Sequence, residues 1–222
     1  MEEFPRAGSE YGWRRRPLPG ALRLRPPIAH HSGPEGRLLE RQAAGARCAV
    51  EVGVGEGMSA QRMLRVLHPQ GELHLVDPFP AGRLGISLGR ITARRAVRGV
   101  SRGRVVWIRK PSSEAAEGWD RPIDFLFLDS DHTFEAVTRS WEDWSPHVRI
   151  GGKVLLQGAR TGEDSWVDST CGPARLFDTW IASSPKWQVT DGVGATLALE
   201  RTSVRFAEPS GTPERHIHSD SL

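Results

Sequence analysis

The chain has 222 residues, 38% of them hydrophobic, which suits one α/β domain with tails. No run approaches the roughly 18 uninterrupted apolar residues of a membrane helix, and no apolar segment follows the arginines of WRRRPLPGALRLRP as a signal peptide requires. The formal charge of +3 is weak evidence for a nucleic-acid partner: lysine occurs only at Lys110, Lys153 and Lys186, asparagine is absent, and the arginines are scattered without interleaved aromatics.

Residues 1–32 are rich in Arg, Pro and Gly and read as a flexible N-terminal arm. SGPEGRLLERQAA then carries a helix start, with Ser32 or Gly33 at the cap, Pro34 in the first turn and Glu35 at the positive end. From Ala46 onward short β-rich runs alternate with amphipathic stretches, the pattern of a parallel sheet with crossover helices. Strands are predicted at 48–52, 72–76, 105–109, 124–128 and 153–157, the last introduced by a turn at Gly151 and Gly152. Helices are predicted at 59–67, 86–97 and 173–183, with a short helix or turn at 112–118. Phe134, Val137, Trp141 and Trp144 repeat at helical spacing, so a further helix follows the fourth strand. WQVTD and ATLALER, joined by Gly192 and Gly194, read as a hairpin at the sheet edge. The division is therefore a 1–32 arm, a 33–202 domain and a disordered 203–222 tail. Cys48 and Cys171 make neither a disulfide framework nor a metal spacing, and they suit a reducing cytoplasm.

EVGVGEG links the first strand to the first crossover helix. Its glycines permit positive φ and clear side chains away from the backbone, and the N–H groups of the following helix point into the same space. Aligned with G-x-G-x-x-G, the turn has Met58 at the third position, a departure from the dinucleotide pattern. Glu51, on the strand itself, would repel a pyrophosphate and favour a cation. Asp77 ends the second strand about 20 residues past the turn, where an acid accepts ribose hydroxyls. Together these features suit S-adenosylmethionine (SAM), which has a ribose, an ammonium and a sulfonium but no phosphate. The turn taken alone is equally a tight strand–helix connection without a ligand.

VEVGVGEGMSAQRML, LHLVDPF, IDFLFLDSDHTFEAVTRSWEDW and VRIGGKVLLQ resemble class I SAM-dependent methyltransferases, most of all the small-molecule group that includes sugar and macrolide O-methyltransferases. The resemblance implies a Rossmann-like, doubly wound α/β sheet of seven strands, mostly parallel with an antiparallel last strand. It implies methyl transfer to a hydroxyl of a sugar or secondary metabolite. By position, it implies Glu51, Gly53, Gly55, Gly57 and Ser59 at the methionine end of the cofactor and Asp77 at the ribose. Pro111, Ser112 and Ser113 would lie along the adenine, and Asp129 beside the transferable methyl.

FLFLDSDHTFEAV places Asp129, Asp131 and His132 at the tip of an apolar strand. His132 is a candidate general base, with Asp129 or Asp131 orienting the imidazole or holding the substrate. Asp131 serves equally as a cap for the helix beginning near Thr133, and His132 as a hydrogen-bonding residue of its first turn. In several relatives the acid after the fourth strand joins acids after the fifth to bind Mg²⁺. Gln157 and Gly158 stand at those positions here, so metal-independent chemistry is expected and Mg²⁺ is disfavoured. Glu163, Asp164 and Asp168 lie farther along and read as loop acids.

The same departure leaves open a protein that binds the cofactor without catalysis, and the basic balance leaves an RNA-binding protein as the distant alternative. His30 and His31 read as a solvated loop, entering an acceptor pocket only if the arm folds over it. His216 and His218 read as tail residues. Trp141 and Trp144 read as core, and Trp166 as a residue able to flank an acceptor. Homodimerisation through the N-terminal segment is compatible with the sequence and not required by it.

Overall fold

A computed structural model of the chain describes residues 27–82, 85–100, 102–129 and 131–203. Most of the expected arm, up to residue 26, and all but the first residue of the expected tail, including His216 and His218, lie outside the described residues. The elements in chain order are α1 (Gly33–Ala43), β1 (Cys48–Val52), α2 (Met58–Val66), β2 (Glu72–Val76), α3 (Leu88–Val97), β3 (Arg104–Ile108) and α4 (Ser112–Ala116). They continue with β4 (Ile123–Leu128), α5 (Phe134–Trp144), β5 (Val148–Leu156), α6 (Gly172–Leu176), β6 (Trp187–Val193) and β7 (Thr196–Arg201).

The strands form one sheet in the order β3-β2-β1-β4-β5-β7-β6. All neighbours pair in parallel except β7, which is antiparallel to both β5 and β6. This is the mostly parallel, seven-stranded α/β sheet anticipated, with the β6–β7 hairpin at one edge. Alternation along the strands builds two cores. Val50, Val52, Leu126, Leu128, Val154 and Leu156 pack under Val137, Trp141 and Trp144 of α5 and Leu176 of α6. Ala49, Leu73, Leu75, Phe125, Phe127 and Leu155 face the other way, under Leu38 and Leu39 of α1 and Met63 and Leu64 of α2. Both faces of β4 are covered, which is why its sequence is almost uninterrupted apolar.

Two expectations change. Gly151 and Gly152 are not a turn ahead of β5; the strand starts at Val148 and runs through them. The register with β4 shifts between Ile123 and Phe125, so the glycines take the place of a bulge. A side chain at Gly152 would meet the Arg149 and Ile123 carbonyl oxygens at 2.8 and 2.9 Å. The helix expected over 173–183 is α only as far as Leu176 and widens to a π-turn over Phe177–Ile181.

Trp144 is fully buried, lies edge-on to Trp119 with centroids 5.2 Å apart, and donates Nε1–H to Ser112 Oγ at 2.9 Å. Trp144→Ala is expected to destabilise the domain by about 3–5 kcal/mol, read as a lower urea midpoint with an unchanged slope.

Candidate functional site

The strand order reverses between β2-β1 and β4-β5, so the crossovers leave β1 and β4 in opposite directions and open a crevice at their carboxyl ends. Backbone bonds align the residues that follow each strand along this edge. Gly53 N–H donates to Val76 C=O at 3.0 Å, Asp129 N–H to Val52 C=O at 3.0 Å and Gln157 N–H to Leu128 C=O at 3.1 Å. Asp77, Gly53, Asp129 and Gln157 therefore stand side by side although they are far apart in the chain.

The glycine turn leads into α2 without a side-chain cap: Gly57 is the N-cap, at φ 83°. A Cβ there would lie 2.9 Å from the Cα of Ala93 in α3, so only glycine lets the two helices close this tightly. Glu51 is wholly buried and accepts a hydrogen bond from the Ser59 hydroxyl through Oε1, while its Oε2 has no hydrogen-bond partner among the described residues. Burial pushes its carboxyl well above the usual range; the Ser59 bond opposes this and Asp129 and Asp77 add to it.

Asp77 holds the turn from the other side. Its Oδ2 accepts from Val54 N–H at 3.1 Å and Gly55 N–H at 3.3 Å, and its Oδ1 accepts from Phe79 N–H at 2.7 Å. Phe79 has φ 45°, a left-handed conformation rare outside glycine and part of the tight bend after β2.

A cavity opens above this edge, lined by Ile28, His30, His31, Gly53, Val54, Gly55, Met58, Ser59 and Asp129. Of the residues singled out in the sequence it gathers Gly53, Gly55, Ser59 and Asp129, with Glu51 just beneath Ser59. Pro111, Ser112 and Ser113 do not line it. Ser112 Oγ accepts from Trp144 and Ser113 Oγ from Arg139 Nε at 3.2 Å, so both hydroxyls serve contacts with α5.

Of the two histidines of the N-terminal segment, His30 is exposed as expected, whereas His31 is not solvated. Ile28 N–H donates to Glu56 Oε2 at 2.8 Å, His31 is buried, and both His30 and His31 join the cavity wall. The sequence signal was the capping box just downstream. Ser32 and Glu35 exchange their bonds at the start of α1, and the Glu35 carboxylate also accepts from Ala195 N–H at 2.9 Å and Thr196 Oγ1 at 3.1 Å. That network moors the segment to the β6–β7 hairpin.

At the tip of β4, His132 Nε2 lies 3.7 Å from Asp129 Oδ1, and its ring stacks on Trp166 at 5.7 Å with 13° between planes. The His132 carbonyl accepts from Gly172 N–H at 3.0 Å, and a Cβ on Gly172 would fall 2.4 Å from that carbonyl oxygen. The start of α6 thus seats the loop. Asp131 is exposed and is not the cap: it accepts from Thr133 N–H at 2.8 Å, and Thr133 is the residue that caps α5.

Gln157 is buried, with its Nε2 unpartnered among the described residues and its Oε1 bonded to Thr196. Asp164 pairs with Arg160 at 2.6 Å, and Asp168 accepts from Thr170 N–H at 2.8 Å. Among the described residues no group of three or more His, Cys, Asp or Glu is gathered closely enough to hold a metal ion.

Residues 50–157 match the family model described as a methyltransferase domain. This segment, just under half of the chain, is similar to that family. It spans β1 to the residue after β5 and so contains the glycine turn, Asp77 and the β4 tip. Solved structures extend the likeness over the sheet. An O-methyltransferase from Bacillus cereus, in complex with SAH, is 22% identical with a TM-score of 0.58, over 83% of this chain and 89% of that one. Rv0187 from MTB, cofactor-bound, is 21% identical with a TM-score of 0.60, over 84% and 87%. TomG from Streptomyces achromogenes, an O-methyltransferase of tomaymycin synthesis in complex with SAM, is 16% identical with a TM-score of 0.58, over 84% and 88%. At these identities the chain shares with them its fold.

Proposed function

We propose that the protein transfers a methyl group from SAM to a hydroxyl of a small molecule such as a sugar or secondary metabolite. The observation that carries this reading is the cavity at the β1–β4 crevice, which among the described residues is lined by apolar side chains, hydrogen-bond acceptors and the glycine-turn backbone, with no lysine or arginine. A pyrophosphate would find no cation there, whereas an ammonium and a sulfonium suit Asp129 and the acceptors around it. The names of the fold relatives support the same reading: O-methyltransferases, some with SAM or SAH bound.

In this reading the glycine turn, Glu51 and Ser59 surround the methionine end, and Asp77 receives the ribose. Three N–H groups occupy part of the Asp77 carboxylate. Two carboxylate oxygens offer about four lone-pair sites, so capacity for a ribose hydroxyl is left. Pro111, Ser112 and Ser113 are assigned to the adenine side. When bound, SAM supplies an activated methyl on a sulfonium. The chain must align the acceptor hydroxyl with that carbon and take up its proton. His132 is the proton acceptor, oriented by Asp129 and stacked on Trp166, while Asp131 supports the loop through Thr133. No catalytic metal is invoked.

Among the described residues no helix is long and apolar enough to cross a membrane. Cys48 and Cys171 are free thiols whose pKa burial pushes up to about 11, so both stay protonated. Unpaired, unreactive thiols support a cytoplasmic location.

Calorimetry tests the cofactor assignment: SAH should bind and NAD should not. Tight NAD binding with indifference to SAH would reverse it. Transfer of radiolabelled methyl from SAM to a panel of hydroxylated small molecules tests the chemistry; binding without turnover across the panel would favour a non-catalytic cofactor-binding protein.

A further inference from the structure

His31 is 8% exposed and lies in the wall of the glycine-turn cavity. Its Nδ1 is 3.2 Å from the Ser32 carbonyl oxygen. A carbonyl only accepts, so in the neutral ring the proton sits on Nδ1 and Nε2 presents a lone pair. That Nε2 is buried and has no hydrogen-bond partner among the described residues. A buried acceptor of this kind calls for a donor from a ligand or an ordered water. The ring cannot easily turn away, because the capping box of Ser32 and Glu35 holds the backbone beside it and Glu35 is tied to Ala195 and Thr196.

We propose that His31, through Nε2, accepts a hydrogen bond from the α-ammonium at the methionine end of the cofactor, with Asp129 supplying the compensating charge. The assignment rests on the SAM reading. An ammonium brings three donors and no acceptor. The cavity lining supplies His31, the Asp129 carboxylate and the backbone of the glycine turn, with no lysine or arginine among the described residues. The acceptor hydroxyl belongs elsewhere: His132 and Trp166 stack beside one another outside this lining.

The ring must be neutral to accept. Burial, the largest influence, lowers its pKa below the ordinary value of 6.5; Arg62 of α2 lowers it further, while the Ser32 carbonyl, Asp129 and Glu35 of α1 raise it. At pH 7 the lone pair is therefore available. Acid adds a proton to Nε2, which removes the acceptor and sets a positive charge against the ammonium. Cofactor affinity should fall as pH drops through the lowered His31 pKa.

Calorimetry with SAH and with 5′-methylthioadenosine, which keeps the adenosine and sulfur but lacks the amino-acid end, tests the assignment on the full chain. His31→Leu is expected to weaken SAH by about tenfold or more and to leave methylthioadenosine unchanged. His31→Gln, which retains an acceptor oxygen, should recover part of the SAH affinity and lose the acid sensitivity. Equal SAH affinity in wild type and His31→Leu would overturn the proposal, as would an equal loss for both ligands, the mark of a distorted site. A wild-type protein that takes neither ligand would instead refute the SAM reading itself.

Discussion

His132→Ala is expected to lower methyl transfer by about 10²- to 10⁴-fold, the contribution of a positioned general base, while SAH affinity stays at the wild-type value. The separation follows from geometry. His132 lies at the β4 tip with Nε2 3.7 Å from Asp129 and its ring against Trp166, and it does not line the cavity assigned to the cofactor's methionine end. Its loss removes a proton acceptor without opening the glycine turn. The fold should tolerate the change, because Gly172 binds the backbone carbonyl of His132 and not its side chain. Single-turnover transfer to an acceptor found in the panel, measured across pH, checks the role. Wild-type rates in the variant would reduce His132 to a residue of the helix start. A pH profile of unchanged shape at a reduced rate would point to a positioning role.

Asp77→Ala is expected to weaken SAH and 5′-methylthioadenosine by the same factor, on the order of 1.5–3 kcal/mol for a lost charge-assisted contact, or roughly ten- to 150-fold. Both ligands carry the ribose, so the ratio of their affinities should not move; in His31→Leu it should. The substitution also strands the N–H groups of Val54, Gly55 and Phe79, which now share one carboxylate. A lower melting temperature in the absence of ligand should accompany the affinity loss. Asp77→Asn does not fully repair either defect, because its amide can accept through one atom only and turns a donor toward other donors. Unchanged affinity in Asp77→Ala would remove the ribose assignment and leave Asp77 as the anchor of the turn.

These expectations differ in how directly the sequence displays them. The glycine turn and Asp77 are visible because strand, turn and helix are contiguous and their signals are local: an apolar run, glycines, then helical spacing. The hairpin at the sheet edge was equally plain from WQVTD and ATLALER. Gly151 and Gly152 misled because a glycine pair signals a turn in isolation; only pairing with β4 makes them a bulge. The widening of α6 into a π-turn has no local signature in the residues from 173 to 183.

His31 shows the limit most clearly. Beside His30 in an Arg- and Pro-rich segment it has the character of a loop residue; the capping box that follows marks a helix start but not what that start packs against. Its burial depends on Glu35 reaching the β6–β7 hairpin and on Ile28 bonding Glu56, contacts between distant parts of the chain. Ser112 illustrates the converse: a residue assigned by position to the adenine side has its hydroxyl taken up by Trp144, a demand made by core packing.

The sequence by itself determined the alternation of strands and helices, the glycine turn after β1, and the acids that close β2 and β4, because propensity and periodicity act between residues a few positions apart. Only the tertiary structure decided that Asp129, Ser59 and a buried His31 share one cavity. The physical reason is that burial and hydrogen-bond partnership are set by which segments the strand order brings together, and that order is fixed by packing over the whole sheet.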